Sequence, residues 1–250
     1  MNKKIHIGTM GWSYDFWKNQ LYSSSAKPEN FLQEYCQHFN TVEVNSTFYR
    51  IPTIETIKKW MKQTKPDFIF SIKAPKKISH QKLAKDNPDY LDFFLSTISN
   101  FGTKLGPVLF QFPPSFTSAN FGALTDFTSV LSKRFRYAFE IRNKSWYNEK
   151  FYSLLEQNKI ALVLGDSPWI NKLNMVTTDF TYFRWEGNRM QIKGTLGKVE
   201  KERTEDTQKW GKKIQQLSNK TVIFGYFSKY YSGYPPTDAK QLLNYLLAEK

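Results

Sequence analysis

The stretch YAFEIRNKSW, residues 137–146, decides the reading of the fold. Its first six residues mix aromatic and branched side chains as a strand does, yet Glu140 and Arg142 share a parity and therefore a face, with Trp146 just beyond. A strand buried in a parallel sheet is ordinarily apolar throughout. Two opposite charges on one face at its carboxyl end suit a barrel strand that reaches the rim of a ligand site.

The rest of the chain repeats the same unit: a short branched or aromatic run, a polar loop, then an amphipathic helix. Further strands are expected at Ile5 to Gly8, Val42 to Asn45, Phe68 to Lys73, Val108 to Phe112, Ile160 to Leu164, Thr181 to Trp185 and Val222 to Phe227, which with Tyr137 to Arg142 makes eight. Several helices mark their own starts. Asn87-Pro88 sets a cap before a first-turn proline, and Leu91, Phe94, Leu95 and Ile98 follow at helical spacing. Pro28 opens another helix, and Thr53 caps one that buries Ile54, Ile57, Trp60 and Met61. Phe151, Leu154 and Leu155 mark a fourth, and Ala239, Leu242, Leu243 and Leu246 follow Pro235-Pro236. DSPWINKLNMVTTDF, residues 166–180, shows no helical stripe, so the helix after strand six is expected to be short or missing.

Strands alternating with helices imply a parallel sheet, because a parallel crossover needs about a dozen residues. Eight units in 250 residues predict one (β/α)8 TIM-type barrel over residues 1–250, with no linker to divide it. An open doubly wound sheet is the rival. GTMGWSY, residues 8–14, lacks the third glycine of a dinucleotide fingerprint and sets aromatics where a pyrophosphate would approach the backbone.

Composition bounds the function classes. A 40% hydrophobic, 17% aromatic chain can bury a large core. Only a few apolar residues follow Met-Asn-Lys-Lys before Gly8, and no run approaches the ~20 apolar residues of a membrane span, so the expected address is the cytoplasm and no membrane partner is expected. The lone Cys36 reads as a packed small hydrophobe. A formal charge of +14 suits a polyanionic partner such as nucleic acid, but the basic residues are 29 Lys against 7 Arg, spread along the chain without a run. A solvated lysine surface accounts for them equally well.

Polar residues gather where a barrel puts its working groups: Glu43 and Asn45, Ser71 and Lys73 with His80 following, Gln111, Glu140 and Arg142, Asp166, and Arg184 with Glu186. Glu43, Glu140, Asp166 and His80 are the candidate acids and bases. Arg142, Arg184 and Lys73 are candidates to hold a phosphate or carboxylate, Lys73 being read as an anion contact or ion-pair partner ahead of a Schiff-base-forming amine. Asn45 and Gln111 would complete the polar contacts. Trp12, Tyr14, Tyr49 and Trp146 are the aromatic contacts expected at the same rim, Trp12 and Trp146 foremost. A hard divalent ion on the carboxylates is compatible with this set, but no strong metal motif exists, since His6 and His38 lie away from the predicted mouth. Residues 186–206, EGNRMQIKGTLGKVEKERTED, form the longest polar insertion and are expected to be a mobile lid or a small hairpin.

Taken in order, GTMGWSYDFW (8–17), VEVNSTFYRIP (42–52), FSIKAPKKISH (70–80), LGPVLFQFPPSF (105–116), FEIRNKSW (139–146) and DSP (166–168) resemble domain-of-unknown-function family 72, the YecE-like proteins, through nearly the whole chain. The resemblance implies a TIM-type barrel and brings no established reaction. It also implies that Trp12, Ser13, Tyr14, Glu43, Asn45, Ser46, Tyr49, Lys73, His80, Gln111, Glu140, Arg142, Trp146 and Asp166 stand at the family's motif positions. Two departures stand out. FRWEG, residues 183–187, replaces an Arg-x-His-Gly-like end to strand seven, and Phe227, Ser228 and Lys229 replace an Asn pair after strand eight. Three functions are open at this point: a small polar, anionic ligand, phosphorylated or sugar-like, bound at the mouth by a hydrolase or isomerase; nucleic acid bound on a basic, aromatic surface; or a non-catalytic scaffold whose mouth charges only compensate one another.

Overall fold

The computed structural model describes residues 4–83, 88–167 and 175–248. All eight expected strands form: β1 (Ile5–Thr9), β2 (Thr41–Val44), β3 (Ile69–Lys73), β4 (Leu105–Gln111), β5 (Tyr137–Glu140), β6 (Ile160–Asp166), β7 (Phe180–Trp185) and β8 (Val222–Phe227). They make one all-parallel sheet in the order β1-β8-β7-β6-β5-β4-β3-β2. The order is that of the chain with its two ends brought round to meet, which is barrel topology.

The helices are α1 (Phe31–His38), α2 (Ile54–Gln63), α3 (Pro88–Ile98), α4 (Phe121–Val130), α5 (Glu149–Gln157), α6 (Thr204–Ser218), the single turn α7 (Lys229–Ser232) and α8 (Pro235–Ala248). Thr53 caps α2 by accepting from Thr56 N at 3.2 Å, and Asn148 caps α5 by accepting from Phe151 N at 3.1 Å. Pro88 opens α3 as expected; its neighbour Asn87 lies outside the described residues, as do residues 168–174, where the helix after β6 was expected to be short or missing.

Strand parity divides the core in two. Odd or even residues alternately face inward, where Leu109, Ala138, Ala161, Val163, Phe180, Tyr182, Phe224 and Tyr226 pack in the barrel, and outward, where the larger cluster lies under the helices. Cys36 belongs to that outer layer, its thiol donating to the Gln33 and Gln63 carbonyls at 3.2 and 3.4 Å.

The joint between β1 and β2 is built differently from the other seven. A single bridge pairs Met10 with Glu43, and Gly11 N donates to Glu43 O at 2.8 Å. Below it the ladder is replaced by one side chain: Tyr35, from α1, accepts from Thr9 N at 3.0 Å and donates to Thr41 O at 3.0 Å. Gly8 permits this approach, because a Cβ there would sit 2.2 Å from Thr41 O.

Of the two forms expected for residues 186–206, a mobile lid or a small hairpin, the hairpin does not form: 204–206 begin α6, and the backbone of 186–203 runs through turns without a strand. Their N–H groups find other acceptors. Glu200 N and Lys201 N donate to Ser232 O at 2.6 and 3.0 Å, and the Glu200 carboxylate accepts from Lys193 N and Gly194 N at 2.9 and 2.6 Å. The loop is thereby fastened to α7.

Candidate ligand site at the barrel mouth

Inward parity carries Glu43, Ser71, Lys73, Gln111, Glu140, Arg142, Arg184 and Glu186 to one end of the barrel, at the carboxyl ends of β2, β3, β4, β5 and β7. All but Ser71 form a continuous network with Arg184 at its centre. Its Nε and Nη2 each donate at 3.0 Å to the two oxygens of Glu43, and its Nη1 donates to Glu186 Oε1 at 2.8 Å and also to Glu140 Oε2. Arg142 holds Glu140 Oε1 through Nε at 2.6 Å and both Glu186 oxygens through Nη2 at 2.7 and 2.8 Å. Gln111 Nε2 donates to Glu140 Oε1 at 2.9 Å, and its Oε1 accepts from Lys73 Nζ at 2.9 Å. Asn45 Nδ2 and Tyr182 Oη complete Glu43, donating at 2.9 and 2.8 Å. Beneath the charges, Tyr226 Oη meets Ser71 Oγ at 2.6 Å and Thr41 Oγ1 at 2.8 Å.

Glu43 is thus paired with Arg184, and Glu140 with both Arg142 and Arg184. Glu43 and Glu140 have no exposure at all and their oxygens are taken, so they hold the arginines from below and do not face a ligand. Burial alone would push the Glu140 carboxyl up, but the charges of Arg184, Arg142 and Lys73 override it and hold it at about 2, against an ordinary 4.5. Burial also works against the Arg184 guanidinium, and the carboxylates of Glu140, Glu43 and Glu186 keep it protonated well above its usual range. For Glu140, stability is fully present above the unfolded carboxylate range and is lost as pH falls from about 4.5 toward 2. Urea unfolding measured at intervals between pH 5 and 3 should show Glu140→Gln losing part of the wild-type pH dependence in that window; equal slopes would contradict the assignment.

A cavity of about 350 Å³ opens above the network, lined by Met10, Tyr14, Asn45, Phe48, Tyr49, Lys73, His80, Gln111, Arg142, Arg184, Glu186, Arg189, Ser228, Lys229 and Tyr230. His80 sits on a π-helical turn, Lys77–Lys82, a bulged geometry common at functional sites. Its Nδ1 meets Ser79 Oγ at 2.9 Å and its ring stands edge-on to Phe48 with centroids 5.2 Å apart. Partial burial, then the charges of Lys73 and Arg142, hold its pKa below the ordinary 6.5. Tyr14 donates to Met10 O at 2.9 Å, and burial together with Tyr230 and Glu43 raises its pKa to about 12.

Of the expected site residues, Tyr14, Asn45, Tyr49, Lys73, His80, Gln111, Arg142 and Arg184 line this cavity, with Glu43 and Glu140 behind it. Trp12 lines an adjoining cavity of about 490 Å³, between α1, α2 and the loops after β1 and β2, against Trp60. Trp146 is not at the mouth: it is fully buried, stacks on Phe116 at 5.0 Å and donates its indole N–H to Phe116 O at 2.7 Å. Asp166 is not brought into the network either. In β6 the inward residues are Ala161, Val163 and then Gly165, so Asp166 shares the outward parity of Leu162 and Leu164. Glu186 is the acid that strand-end counting passed over as a site residue; it continues the Tyr182, Arg184 parity and binds both arginines. Ser228 and Lys229, at the other departure from the family pattern, line the cavity as well. His6 stacks on Phe224 inside the barrel and His38 ends α1, both away from this site. Among the described residues no group of three or more His, Cys, Asp or Glu is placed to hold a metal ion, and no helix is long and apolar enough to cross a membrane.

Comparison with known proteins agrees with this architecture. A DUF72 family protein of Thermotoga maritima superposes with a TM-score of 0.79 at 24% identity, over 98% of this chain and 99% of that one. One from Enterococcus faecalis does so with a TM-score of 0.78 at 21% identity, over 97% and 95%. In sequence the chain is similar to the UPF0759 protein YunF of Bacillus subtilis, 26% identical across 97% of this chain and 94% of the relative. It is 34% identical to the UPF0759 protein YecE of Escherichia coli over 57% of this chain, a match that spans only 50% of that relative. The model of the family described as "Protein of unknown function DUF72" matches residues 6–250, and the chain belongs to that family.

Proposed function

We propose that the barrel mouth binds a small, polar, anionic ligand, phosphorylated or sugar-like, and that the protein acts on it as a hydrolase or isomerase. The observation that carries this reading is the sign of the cavity wall. Lys73, Arg142, Arg184, Arg189 and Lys229 line it against a single acid, Glu186, while Glu43 and Glu140 are recessed behind the guanidinium groups. Arg142 Nη1 has no protein partner among the described residues, which leaves one edge of its fork for a ligand oxygen. Asn45, Gln111, Ser228 and the Tyr14, Tyr49 and Tyr230 rings offer the hydrogen bonds and apolar faces a sugar-like body needs. Proton transfer falls to His80, which faces the cavity and whose lowered pKa keeps the imidazole neutral and proton-accepting near neutral pH.

Inorganic phosphate and sugar phosphates are therefore expected to raise the melting temperature of the wild-type chain. Arg142→Ala should weaken that binding by roughly 10- to 100-fold, the loss of one charged hydrogen-bonded contact worth about 1.5–3 kcal/mol. No stabilisation by any small anion would remove the reading. Retention of a single-stranded oligonucleotide with a steep salt dependence, in the same absence, would favour the nucleic-acid surface. Silence in both would favour the scaffold.

A further inference from the structure

One basic group in the cavity is held unlike the rest. Lys73 ends β3 with only 8% of its surface exposed, and among the described residues no carboxylate lies within ion-pair distance of its Nζ. The acids around it are already taken by Arg142 and Arg184. Its contacts are neutral: Gln111 Oε1 at 2.9 Å and the face of Phe48 at 4.1 Å. Gln111 is itself aimed, because its Nε2 donates to Glu140 Oε1 at 2.9 Å, so the amide oxygen is turned to the lysine. Thr47 Oγ1 donates to Lys73 O at 2.6 Å and fixes the backbone from which the chain extends. The amine is thus positioned through one neutral acceptor, and the rest of its valence is turned toward the cavity.

A second group shares the same wall. Phe48 carries Lys73 Nζ over its face and meets the His80 ring in a T-shaped contact, so an amine and an imidazole meet one aromatic ring beside the same cavity. For holding an anion this amine is redundant, because arginines surround the cavity and keep their charge. Burial first, then the Arg184 charge, lowers Lys73 to about 8 despite the nearby carboxylates. Such a group is uncharged in ~10% of molecules at pH 7 and so nucleophilic without an external base.

We propose that Lys73 is a covalent catalyst, adding its Nζ to the carbonyl carbon of a small anionic aldehyde or ketone held at the mouth. The proposal rests on the anion site described above. In the step the nitrogen lone pair forms the C–N bond while the carbonyl π pair moves to oxygen, which takes a proton from solvent, and neutral His80 takes one of the two protons on the added nitrogen. Protonated His80 then donates to that hydroxyl, the C–O bond breaks, and water leaves a protonated imine. Water returning along the same path releases the product and frees the amine.

The test is reductive trapping on the wild-type protein with glyoxylate and, separately, dihydroxyacetone phosphate. After borohydride reduction, peptide mass mapping should find the adduct on Lys73 at least tenfold above any of the other 28 lysines and displaced by inorganic phosphate. Lys73→Gln, checked for folding by thermal unfolding, should lose it. Labelling of Lys73 no stronger than that of surface lysines overturns the proposal, and the wild-type map reads this even if the variant fails to fold. A phosphate-induced rise in melting temperature with no Lys73 adduct removes the imine and leaves the anion site standing. An adduct on Lys73 that phosphate cannot displace does the reverse.

Discussion

Arg184→Met is expected to cost about 3–5 kcal/mol of folding stability, the loss that follows when one partner of a buried ion pair is removed. Arg184 is 2% exposed and donates to Glu43, Glu140 and Glu186 at once, so its loss leaves three carboxylates in a space built around one guanidinium. Asn45 and Tyr182 still reach Glu43, and Arg142 still reaches Glu140 and Glu186, which keeps the cost finite. A domain of this size holds about 5–15 kcal/mol in total, so the variant should unfold at distinctly lower denaturant. Arg184→Lys restores the charge without the fork and should recover part of the loss. Adding Glu43→Gln to Arg184→Met should also recover part, since both Glu43 oxygens depend on that arginine. A loss below about 1 kcal/mol for Arg184→Met would show that the network is not what holds the mouth together.

Gly165→Ala should be nearly as damaging, through the backbone alone. Gly165 has φ +149°, and a Cβ on it would lie 1.9 Å from Arg184 O and 2.7 Å from Arg184 C. Those are main-chain atoms of the neighbouring strand, so relief requires β6 and β7 to part. Strain at the left-handed position, about 1–3 kcal/mol, and overpacking of a similar size should together remove about 2–6 kcal/mol. The displacement falls on Arg184 itself, and phosphate binding should weaken along with stability. Gly122→Ala on α4 is the control: nothing lies within 4 Å of its added Cβ, and the change should be neutral or mildly stabilising. Equal unfolding midpoints for the two variants would contradict the close approach of these strands.

The strands and most of the mouth were legible because side-chain alternation acts locally. Once YAFEIR is read as a strand, Glu140 and Arg142 must share a face, and the same rule brings in Glu43 with Asn45 and Ser71 with Lys73. Asp166 shows how counting strand ends without parity misleads. Ala161 and Val163 are the small inward residues of β6, and following them leads to Gly165, one residue short of the acid. Glu186 obeys the rule that Asp166 breaks, two residues beyond Arg184. Trp146 lay beyond any such rule, because it follows the strand in a loop whose path depends on Phe116, Phe121 and Phe151. The division of labour among the charges also needed coordinates: nothing in residue order says that Glu43 and Glu140 are consumed by arginines while Lys73 is left with an amide.

The phenol that stitches β1 to β2 also governs a quantity no single strand determines. Closing eight strands into a cylinder fixes a shear, the offset accumulated on going once around, and seven joints set theirs by full ladders. The eighth offset rests on the Met10–Glu43 bridge and on Tyr35 gripping Thr9 and Thr41 together. A slip of two residues there would keep every side chain on its proper face, yet would carry Glu43 about 7 Å along the wall and out of reach of Arg184. One hydroxyl on an outer helix, together with that bridge, thus keeps the cylinder's pitch matched to the chemistry at its open end.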